Sequence, residues 1–258
     1  MMRAEELGPF ETFSLFVASF ELMLCVLQWI LGSPYGRHSS PIAGLGVCVP
    51  GRLAWVVQEL PSLLMPLYVV TCTPAQRLSH WPNRILLAIF VTHYLQRSLI
   101  FPFLIRGGKP VPICIFLTAL VFCTLNGYLQ SQYLSNYAVY SDSWIKDPRF
   151  ITGCAIWLIG MLINIYSDNI LRNLRKPGET GYKIPRGGLF EYVTAANFSG
   201  EVIEWYGYAL ASWSFEGIAF ALFTTTVLSI RAKQHHRWYL EKFEDYPKLR
   251  KIIIPFLY

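Results

Sequence analysis

Five apolar runs, each about twenty residues long, constrain the fold of this chain more than any other feature of its sequence. A helix needs about 20 apolar residues to cross the hydrocarbon core of a bilayer, so each run is long enough for one crossing. A further apolar block of twice that length is predicted to cross twice, with its turn at Ser214–Gly217 and a short second crossing. The pattern predicts an all-α integral membrane protein, a seven-transmembrane-helix bundle that forms a single domain over residues 1–258. The runs occupy residues 12–31, 53–72, 84–105, 112–134 and 150–171, and the block occupies residues 190–230.

The composition agrees with a membrane location and argues against several other classes of protein. Hydrophobic residues make up 53% of the chain and charged residues only 15%, against about 25% charged in an average soluble domain. The net charge of +6 comes from basic residues placed between the apolar runs, which favours membrane topology over nucleic-acid binding. The six cysteines lack the paired spacing of metal ligands, so no metal site is expected.

The distribution of basic residues predicts the direction in which the helices cross. With seven crossings and the C-terminus inside, the inside segments carry 16 Lys and Arg residues and the outside segments carry 5. Basic residues are enriched in the cytoplasmic segments of membrane proteins. The C-terminus is therefore predicted to be cytosolic, in the endoplasmic reticulum of a eukaryote or the inner membrane of a bacterium.

Ionisable side chains lie inside the apolar runs, where each is costly unless it is paired or hydrated. Asn164 and Asp168 share one face of the fifth predicted helix, and Asn197 and Glu201 share one face of the next. Such polar stripes predict a cofactor cavity between helices, and interhelical hydrogen bonding is the alternative explanation. His93 suits packing as well as chemistry. The ionisable residues within the runs are Glu21, Glu59, Arg97, Asp168, Glu201 and Glu204.

Short motifs distributed along the chain carry a family resemblance, whereas no GxGxxG, GxSxG or P-loop fingerprint of a soluble cofactor site occurs. In chain order, the motifs are Gln58-Glu59-Leu60-Pro61-Ser62, His93-Tyr94 with Arg97, Asn164-Ile165-Tyr166-Ser167-Asp168, Ala196-Asn197-Phe198-Ser199-Gly200-Glu201, His235-His236-Arg237 and Phe243-Glu244-Asp245-Tyr246-Pro247-Lys248. With these motifs the chain resembles the steroid 5α-reductase (3-oxo-5α-steroid 4-dehydrogenase) family from about residue 35 to its C-terminus.

The resemblance implies an enzyme that uses NADPH to reduce the C4–C5 double bond of a 3-oxo-Δ4 steroid, with hydride transfer to C5 and protonation at C4. It implies that Glu59 and Tyr94 are catalytic and together bind the 3-oxo group, where negative charge develops. A protonated Glu59 would supply a second donor beside Tyr94. The expected partners are a lipophilic steroid and membrane lipid, without nucleic acid or an obligatory protein partner. The expected substrate slot consists of Trp55, Gln58, Phe122 and Phe223.

The resemblance also implies an NADPH cavity formed mainly by residues 135–258, with residues 1–134 mainly on the substrate side. Asn and carboxylate side chains suit the amide and ribose hydroxyl groups of the cofactor, and Arg suits its phosphates. Arg172 and Arg175, together with Lys176, are candidates for the 2′-phosphate or the pyrophosphate. The expected cofactor-binding residues are Asn164, Asp168, Arg172, Arg175, Tyr182, Asn197, Glu201, His235, Tyr239, Arg97 and Arg106.

Three alternative functions remain open at the level of the sequence. A trans-2-enoyl-CoA reductase on the same scaffold would keep NADPH and change the substrate. An isoprenylcysteine-type methyltransferase would bind S-adenosylmethionine and would not need Glu59. A transporter would use the polar stripes as a path, although the two halves of the chain show no internal repeat. The segment from Ile105 to Pro110 departs from the family pattern by one additional residue.

Overall fold

The computed structural model describes residues 7–38, 46–106, 108–176 and 178–258, and most of these residues are helical. Two strands, β1 (Cys48–Val49) and β2 (Val111–Pro112), pair antiparallel and form the one sheet within the described ranges. The helices are α1 (Pro9–Leu31), α2 (Gly51–Glu59), α3 (Pro61–Cys72), α4 (Trp81–Leu95), α5 (Phe101–Leu104), α6 (Ile113–Gln132), α7 (Pro148–Asn173), α8 (Ala196–Ser212) and α9 (Phe215–Lys242).

Six helical stretches are long and apolar enough to cross a membrane, and five of them match the five predicted runs, two of which extend one residue beyond the helix. Helices α2 and α3 form one stretch because Leu60, between them, keeps a right-handed helical backbone. Helices α4 and α5 are joined by a π-helical turn, Gln96–Ile100, and α6 continues into a second one, Tyr133–Tyr137. These stretches confirm an all-α, multi-pass membrane protein. They are Pro9–Leu31, Gly51–Cys72, Trp81–Leu104, Ile113–Tyr137, Pro148–Asn173 and Phe215–Lys242.

The apolar block over residues 190–230 divides into two helices, but their lengths differ from the prediction. The chain turns at Trp213, which has a left-handed backbone (φ 45°), and Ser214 caps α9 by accepting a hydrogen bond from the backbone N–H of Gly217 at 3.0 Å. The predicted turn at Ser214–Gly217 was therefore placed slightly too late along the chain. The prediction of a short second crossing was wrong, because α9 has 28 residues and α8 only 17. Polar side chains after residue 230 pack against other parts of the protein, so the helix continues beyond its apolar part.

Helices α7 and α8 approach until their backbones touch, and glycines make this approach possible. A Cβ atom built on Gly160 would lie 2.6 Å from the Cα atom of Glu204, and one on Gly200 would lie 3.0 Å from the Cα atom of Asn164. Gly153 and Gly207 meet the facing backbone in the same way, one further pair along the two helices. Small residues permit such close helix pairs in membranes. The glycine seam, which we define as these four residues, aligns the polar faces of α7 and α8.

The main hydrophobic core joins α4, α7, α8 and α9 beneath the polar side chains. Its largest enclosed members are Phe90, Trp205 and Tyr208, each exposed by 1% or less. The ring centroids of Trp205 and Phe220 are 4.4 Å apart, which brings α9 against α8. This packing holds the inward-facing residues of α4 opposite those of α8.

Candidate active site

The predicted catalytic residues Glu59 and Tyr94 occupy neighbouring positions on facing helices. Glu59 ends α2, and Tyr94 is 3% exposed on α4. The Tyr94 hydroxyl is within hydrogen-bonding reach of Ser62, one turn after Glu59, and Glu59 acts on Tyr94 electrostatically. The Cys123 thiol of α6 lies 3.7 Å from Oε2 of Glu59, and Nε2 of Gln58 lies 3.5 Å from its Oε1. The structure thus brings the two predicted catalytic side chains together with Gln58.

Five of the predicted cofactor-binding residues form one buried polar cluster centred on Arg97. Nη1 of Arg97 lies 3.1 Å from Oδ2 of Asp168, and its Nη2 lies 3.7 Å from Oε2 of Glu201. Asn197 donates to Oδ1 of Asp168 at 3.0 Å. Asn164 donates to the backbone carbonyl of Asn197 at 2.9 Å. We call these five residues the inner cluster; their two polar stripes meet as the helical spacing predicted.

The guanidinium of Arg97 also joins the inner cluster to an aromatic wall. Its central carbon lies 4.4 Å from the ring centroid of Phe101 and 5.2 Å from that of Trp55. Such cation–π contacts stabilise a charge in a desolvated position. Trp55 and Gln58 both line a small cavity with Tyr35, Val111, Ile115 and Ala119. Two of the predicted substrate residues therefore lie beside the inner cluster.

The other two predicted substrate residues form a separate contact. Phe122 of α6 and Phe223 of α9 stack with ring centroids 4.4 Å apart. Neither residue is among those that line the small cavity beside Trp55. The structure therefore does not bring all four predicted slot residues together around one described cavity.

A second group of predicted cofactor residues surrounds a cationic cluster that the sequence reasoning missed. The Arg37 guanidinium lies 4.6 Å from the Trp238 ring, 5.1 Å from the Tyr182 ring and 5.1 Å from the Tyr239 ring. His38 and His235 are linked by a contact of 2.9 Å between Nε2 and Nδ1. The outer cluster, as we call it, consists of Arg37, His38, Arg231, His235, Tyr35, Tyr182, Trp238 and Tyr239.

The outer cluster carries positive charge without a described counter-ion. Nη1 of Arg37 and Nη1 of Arg231 are enclosed, and within the described ranges neither has a hydrogen-bond partner. Burial and the charges of Arg231, Arg37 and Lys109 lower the pKa of His38 to about 4. A buried guanidinium nitrogen without a partner is costly, and a phosphate group is its best geometric match. The cluster therefore has the chemistry of an anion site.

Three predicted arginines remain. Arg172 lies close enough to Asp168 of the inner cluster to act on it electrostatically, whereas within the described ranges no contact links Arg175 or Arg106 to either cluster. Half-buried Arg172 donates to Oδ1 of Asn169 at 2.6 Å, and exposed Arg175 approaches the backbone carbonyl of Gly181 at 3.5 Å. Arg106 is exposed. Their proposed phosphate contacts stay a prediction, whereas the arginines of the outer cluster, Arg37 and Arg231, each have an enclosed guanidinium nitrogen without a partner in the described ranges. No helical spacing marked Arg37, because it follows α1 in a connecting segment and meets α9 nearly two hundred residues later.

Comparison with known proteins identifies the family of this chain. A family model described as 3-oxo-5-alpha-steroid 4-dehydrogenase matches residues 109–258. The 3-oxo-5-alpha-steroid 4-dehydrogenase 1 of Bos taurus is 68% identical to this chain, covering 90% of each. The protein of that name from Homo sapiens is 66% identical over 88% of this chain and 86% of the relative. Human 3-oxo-5-alpha-steroid 4-dehydrogenase 2 is 48% identical over 88% of both chains. The resemblance carried by the motifs is thereby confirmed, and the chain belongs to the 3-oxo-5-alpha-steroid 4-dehydrogenase family, the steroid 5α-reductases.

Proposed function

We propose that the protein is an oxidoreductase that reduces the C4–C5 double bond of 3-oxo-Δ4 steroids to 5α-steroids with NADPH. The observation that carries this proposal is the contiguity of two buried sites. Arg97 pairs with Asp168 and Glu201 of the inner cluster, contacts Trp55 beside the small cavity and acts electrostatically on Glu59. A reductase needs its cofactor and its substrate in adjoining positions, and Arg97 lies where the two sets of residues meet.

The residues of the two clusters fit the polar ends of NADPH. The enclosed guanidinium nitrogens of Arg37 and Arg231 suit a phosphate group, which would supply the missing hydrogen-bond acceptors. The amide and carboxylate groups of Asn164, Asn197 and Glu201 suit an amide and ribose hydroxyls. When bound, NADPH supplies the hydride. The protein binds and orients the cofactor between the outer and inner clusters.

Tyr94 and Glu59 act on the carbonyl of the substrate. Reduction of an enone moves negative charge onto the carbonyl oxygen, and a donor placed at that oxygen stabilises the transition state by about 3 kcal/mol. Tyr94 supplies a hydroxyl donor in a buried position, and Glu59 supplies a second when protonated. Cys123 and Gln58 hold the Glu59 carboxyl group from either side. The buried position of Tyr94 limits its contact with water, which strengthens its interaction with the carbonyl oxygen.

The topology of the proposal has seven crossings in one domain, with the C-terminus in the cytosol and the protein in the endoplasmic reticulum membrane of a eukaryotic cell. Helix α8 is added to the six long helical stretches as a further crossing, the sixth in chain order. At 17 residues, or about 26 Å, it is shorter than the others. Its packing against α7 and α9 supports this assignment, since neighbouring helices shield it from lipid. The first four crossings carry the catalytic residues, and α7 to α9 carry most of the cofactor residues.

The decisive experiment measures the product. We would purify the protein in detergent, supply testosterone or progesterone with NADPH, and analyse the steroid by mass spectrometry. We expect a 5α-reduced steroid that is heavier by about two mass units, since a hydride and a proton are added. Tyr94→Phe and Glu59→Gln should lose this product. Tyr68→Phe and Glu241→Gln, at exposed positions, are the matched controls and should retain it.

Two results would overturn the proposal. Binding of NADPH without reduction of either steroid would move the substrate to another enone, such as a trans-2-enoyl-CoA. Absence of NADPH binding, with tight binding of S-adenosylmethionine, would favour a methyltransferase on the same scaffold.

A further inference from the structure

A buried histidine–carboxylate pair lies next to Tyr94 and has no part in the mechanism described above. Nδ1 of His93 lies 2.7 Å from Oε1 of Glu204, and the two side chains are only 5% and 1% exposed. At this distance the imidazole can donate a hydrogen bond from Nδ1 to the carboxylate oxygen. Burying a charged pair costs desolvation free energy that apolar packing avoids. The pair is therefore more than a packing contact.

The imidazole ring of His93 is fixed in orientation by its neighbours. Its centroid lies 5.0 Å from the Tyr94 ring in an edge-on arrangement and 4.5 Å from the Trp205 ring. Nδ1 is occupied by Glu204, whereas Nε2 has no hydrogen-bond partner within the described ranges. In this arrangement Nδ1 is bonded to the protein, and Nε2 is available to a reacting group.

His93 also lies between the residues proposed for the substrate and those proposed for the cofactor. It precedes Tyr94 on α4, and it acts electrostatically on Glu201 of the inner cluster. Reduction of an enone delivers hydride to the carbon remote from the carbonyl and a proton to the carbon between them. That middle carbon must lie between the group that binds the carbonyl and the group that orients the cofactor, and His93 is next to Tyr94 in α4 and close enough to Glu201 to act on it electrostatically.

We propose that His93, held by Glu204, is the acid that protonates C4 of the steroid; this inference rests on the proposed function. After C5 has accepted the hydride, the electron pair of the C3–C4 enolate bond takes the Nε2 proton of the imidazolium. The C4–H bond forms, the C3 carbonyl is restored, and the electron pair of the broken N–H bond stays on Nε2. Nδ1–H remains donated to Glu204, and a proton from water restores the imidazolium before the next turnover.

The charged groups around His93 are compatible with this role. Glu204 and Glu201 face it from α8, and Arg97 lies one turn further along the chain, in the π-helical turn that follows α4. The Arg97 charge is balanced by Asp168 of α7 and by Glu201. Glu204 is thus left to offset the charge of the imidazolium, as a carboxylate orients and stabilises a catalytic histidine in hydrolases.

The test measures isotope effects in His93→Gln, which keeps a donor for Glu204 but has no acidic proton. We expect kcat to fall by about 10²- to 10³-fold, in the range typical of a lost general acid. Protonation should become rate-limiting, so the solvent deuterium isotope effect on kcat should rise and that from deuterated NADPH should fall. The Kd for NADPH should stay unchanged, which also reports that the variant is folded.

Chemical rescue separates an acid from a packing residue. Imidazole added to His93→Ala should restore part of kcat, and a series of substituted imidazoles should give rates that follow their acidity. If the added imidazoles only filled the space left by His93, the rates would follow the size of the imidazole and not its acidity. Glu204→Gln should lower kcat and leave the Kd for NADPH unchanged, because it removes the charge that supports the imidazolium.

Two results would overturn the assignment of His93. One is unchanged isotope effects in His93→Gln, and the other is rescue that follows the size of the added base. Either result would leave the proposed function intact if the wild-type protein reduces the steroid. Failure of the wild-type protein to reduce any 3-oxo-Δ4 steroid would remove the proposed function, and with it the substrate of this step.

Discussion

Arg97 and Asp168 form an ion pair with 3.1 Å between Nη1 and Oδ2, and this pair links the two halves of the chain at the centre of the bundle. Arg97 lies in the π-helical turn that follows α4, and Asp168 lies in the last third of α7. π-helical turns within α-helices occur often at functional sites. The ion pair therefore marks the meeting point of the proposed substrate and cofactor regions.

Replacing Arg97 by Met should destabilise the protein strongly. The substitution leaves Asp168 and Glu201 as buried carboxylates without a cation, and breaking a buried ion pair in this way costs about 3–5 kcal/mol. Denaturant unfolding in detergent measures the change. Adding Asp168→Asn in the same chain should recover part of the loss, because one uncompensated charge disappears. Arg149→Met removes a more exposed pair, with side chains 41% and 24% exposed for Arg149 and Asp147, and should change the unfolding free energy far less. Equal losses for Arg97→Met and Arg149→Met would contradict the central role of the pair.

Replacing Arg37 by Gln should weaken NADPH binding by about 10- to 100-fold, in keeping with the loss of a charge-assisted hydrogen bond. NADPH and NADH titrations followed by nicotinamide fluorescence would identify the phosphate. If Arg37→Gln weakens the binding of NADPH alone, Arg37 binds the 2′-phosphate. If it weakens the binding of NADPH and NADH equally, Arg37 binds the pyrophosphate. Arg84→Gln is the matched change at an exposed arginine outside both clusters, and we expect a smaller change there because water already screens its charge. Unchanged affinity of Arg37→Gln for both cofactors would refute the anion site.

Replacing Gly160 by Ala should disturb the inner cluster from a distance. The added methyl group would lie 2.6 Å from the Cα atom of Glu204, so α7 and α8 must separate, at a cost of about 1–3 kcal/mol. We expect a lower unfolding midpoint and weaker NADPH binding, since Asn164 and Asn197 bond across the same seam. Gly108→Ala is the control, because among the described residues its Cβ atom would meet only Ile105, at an ordinary 3.8 Å. If Gly160→Ala changed neither the unfolding midpoint nor NADPH binding, α7 and α8 could separate without cost, which would contradict the prediction.

Acidification should destabilise the outer cluster through His38. The folded-state pKa of His38 is about 4, lowered by burial and by neighbouring arginines, whereas a histidine in an unfolded chain titrates near ~6.5. Between these values the unfolded chain binds a proton at His38 and the folded protein does not. Stability from this residue is therefore present above pH ~6.5 and is lost as the pH falls towards ~4. The unfolding midpoint of His38→Gln should depend less on pH in this window than that of the wild type. Parallel curves of unfolding midpoint against pH for the two proteins would contradict this role of His38.

The inner cluster was predictable from the sequence, and the outer cluster was not. Asn164 with Asp168, and Asn197 with Glu201, are spaced by four residues, and helical periodicity alone places each pair on one face. The two polar stripes face each other because the glycine seam allows α7 and α8 to touch. Arg37 and His38 follow a helix end in a segment without periodicity, and their partners lie in α9. Such contacts depend on tertiary packing, which no local pattern encodes.

The length of α9 shows the limit of hydropathy as a guide. Its apolar part ends near residue 230, and the prediction ended the crossing there. The helix continues to Lys242 because its polar residues have partners: Arg231 stacks on Tyr35 at 3.5 Å, and Thr194 bonds His236 at 2.6 Å. Hydropathy predicts which residues contact lipid, whereas the polar residues of α9 after residue 230 are stabilised by contacts with the rest of the protein.

The glycine seam has a consequence for the gene that encodes this chain. Every amino acid that a single-nucleotide change can substitute at a glycine codon carries a Cβ atom, and each of these four positions places that atom against the backbone of the facing helix. Gly153, Gly160, Gly200 and Gly207 are therefore sites where an inherited missense change would impair the enzyme without altering any residue of either cluster. Carriers of such alleles would show loss of activity with a catalytic sequence that reads as intact, and the cause would be visible only in the packing of two helices.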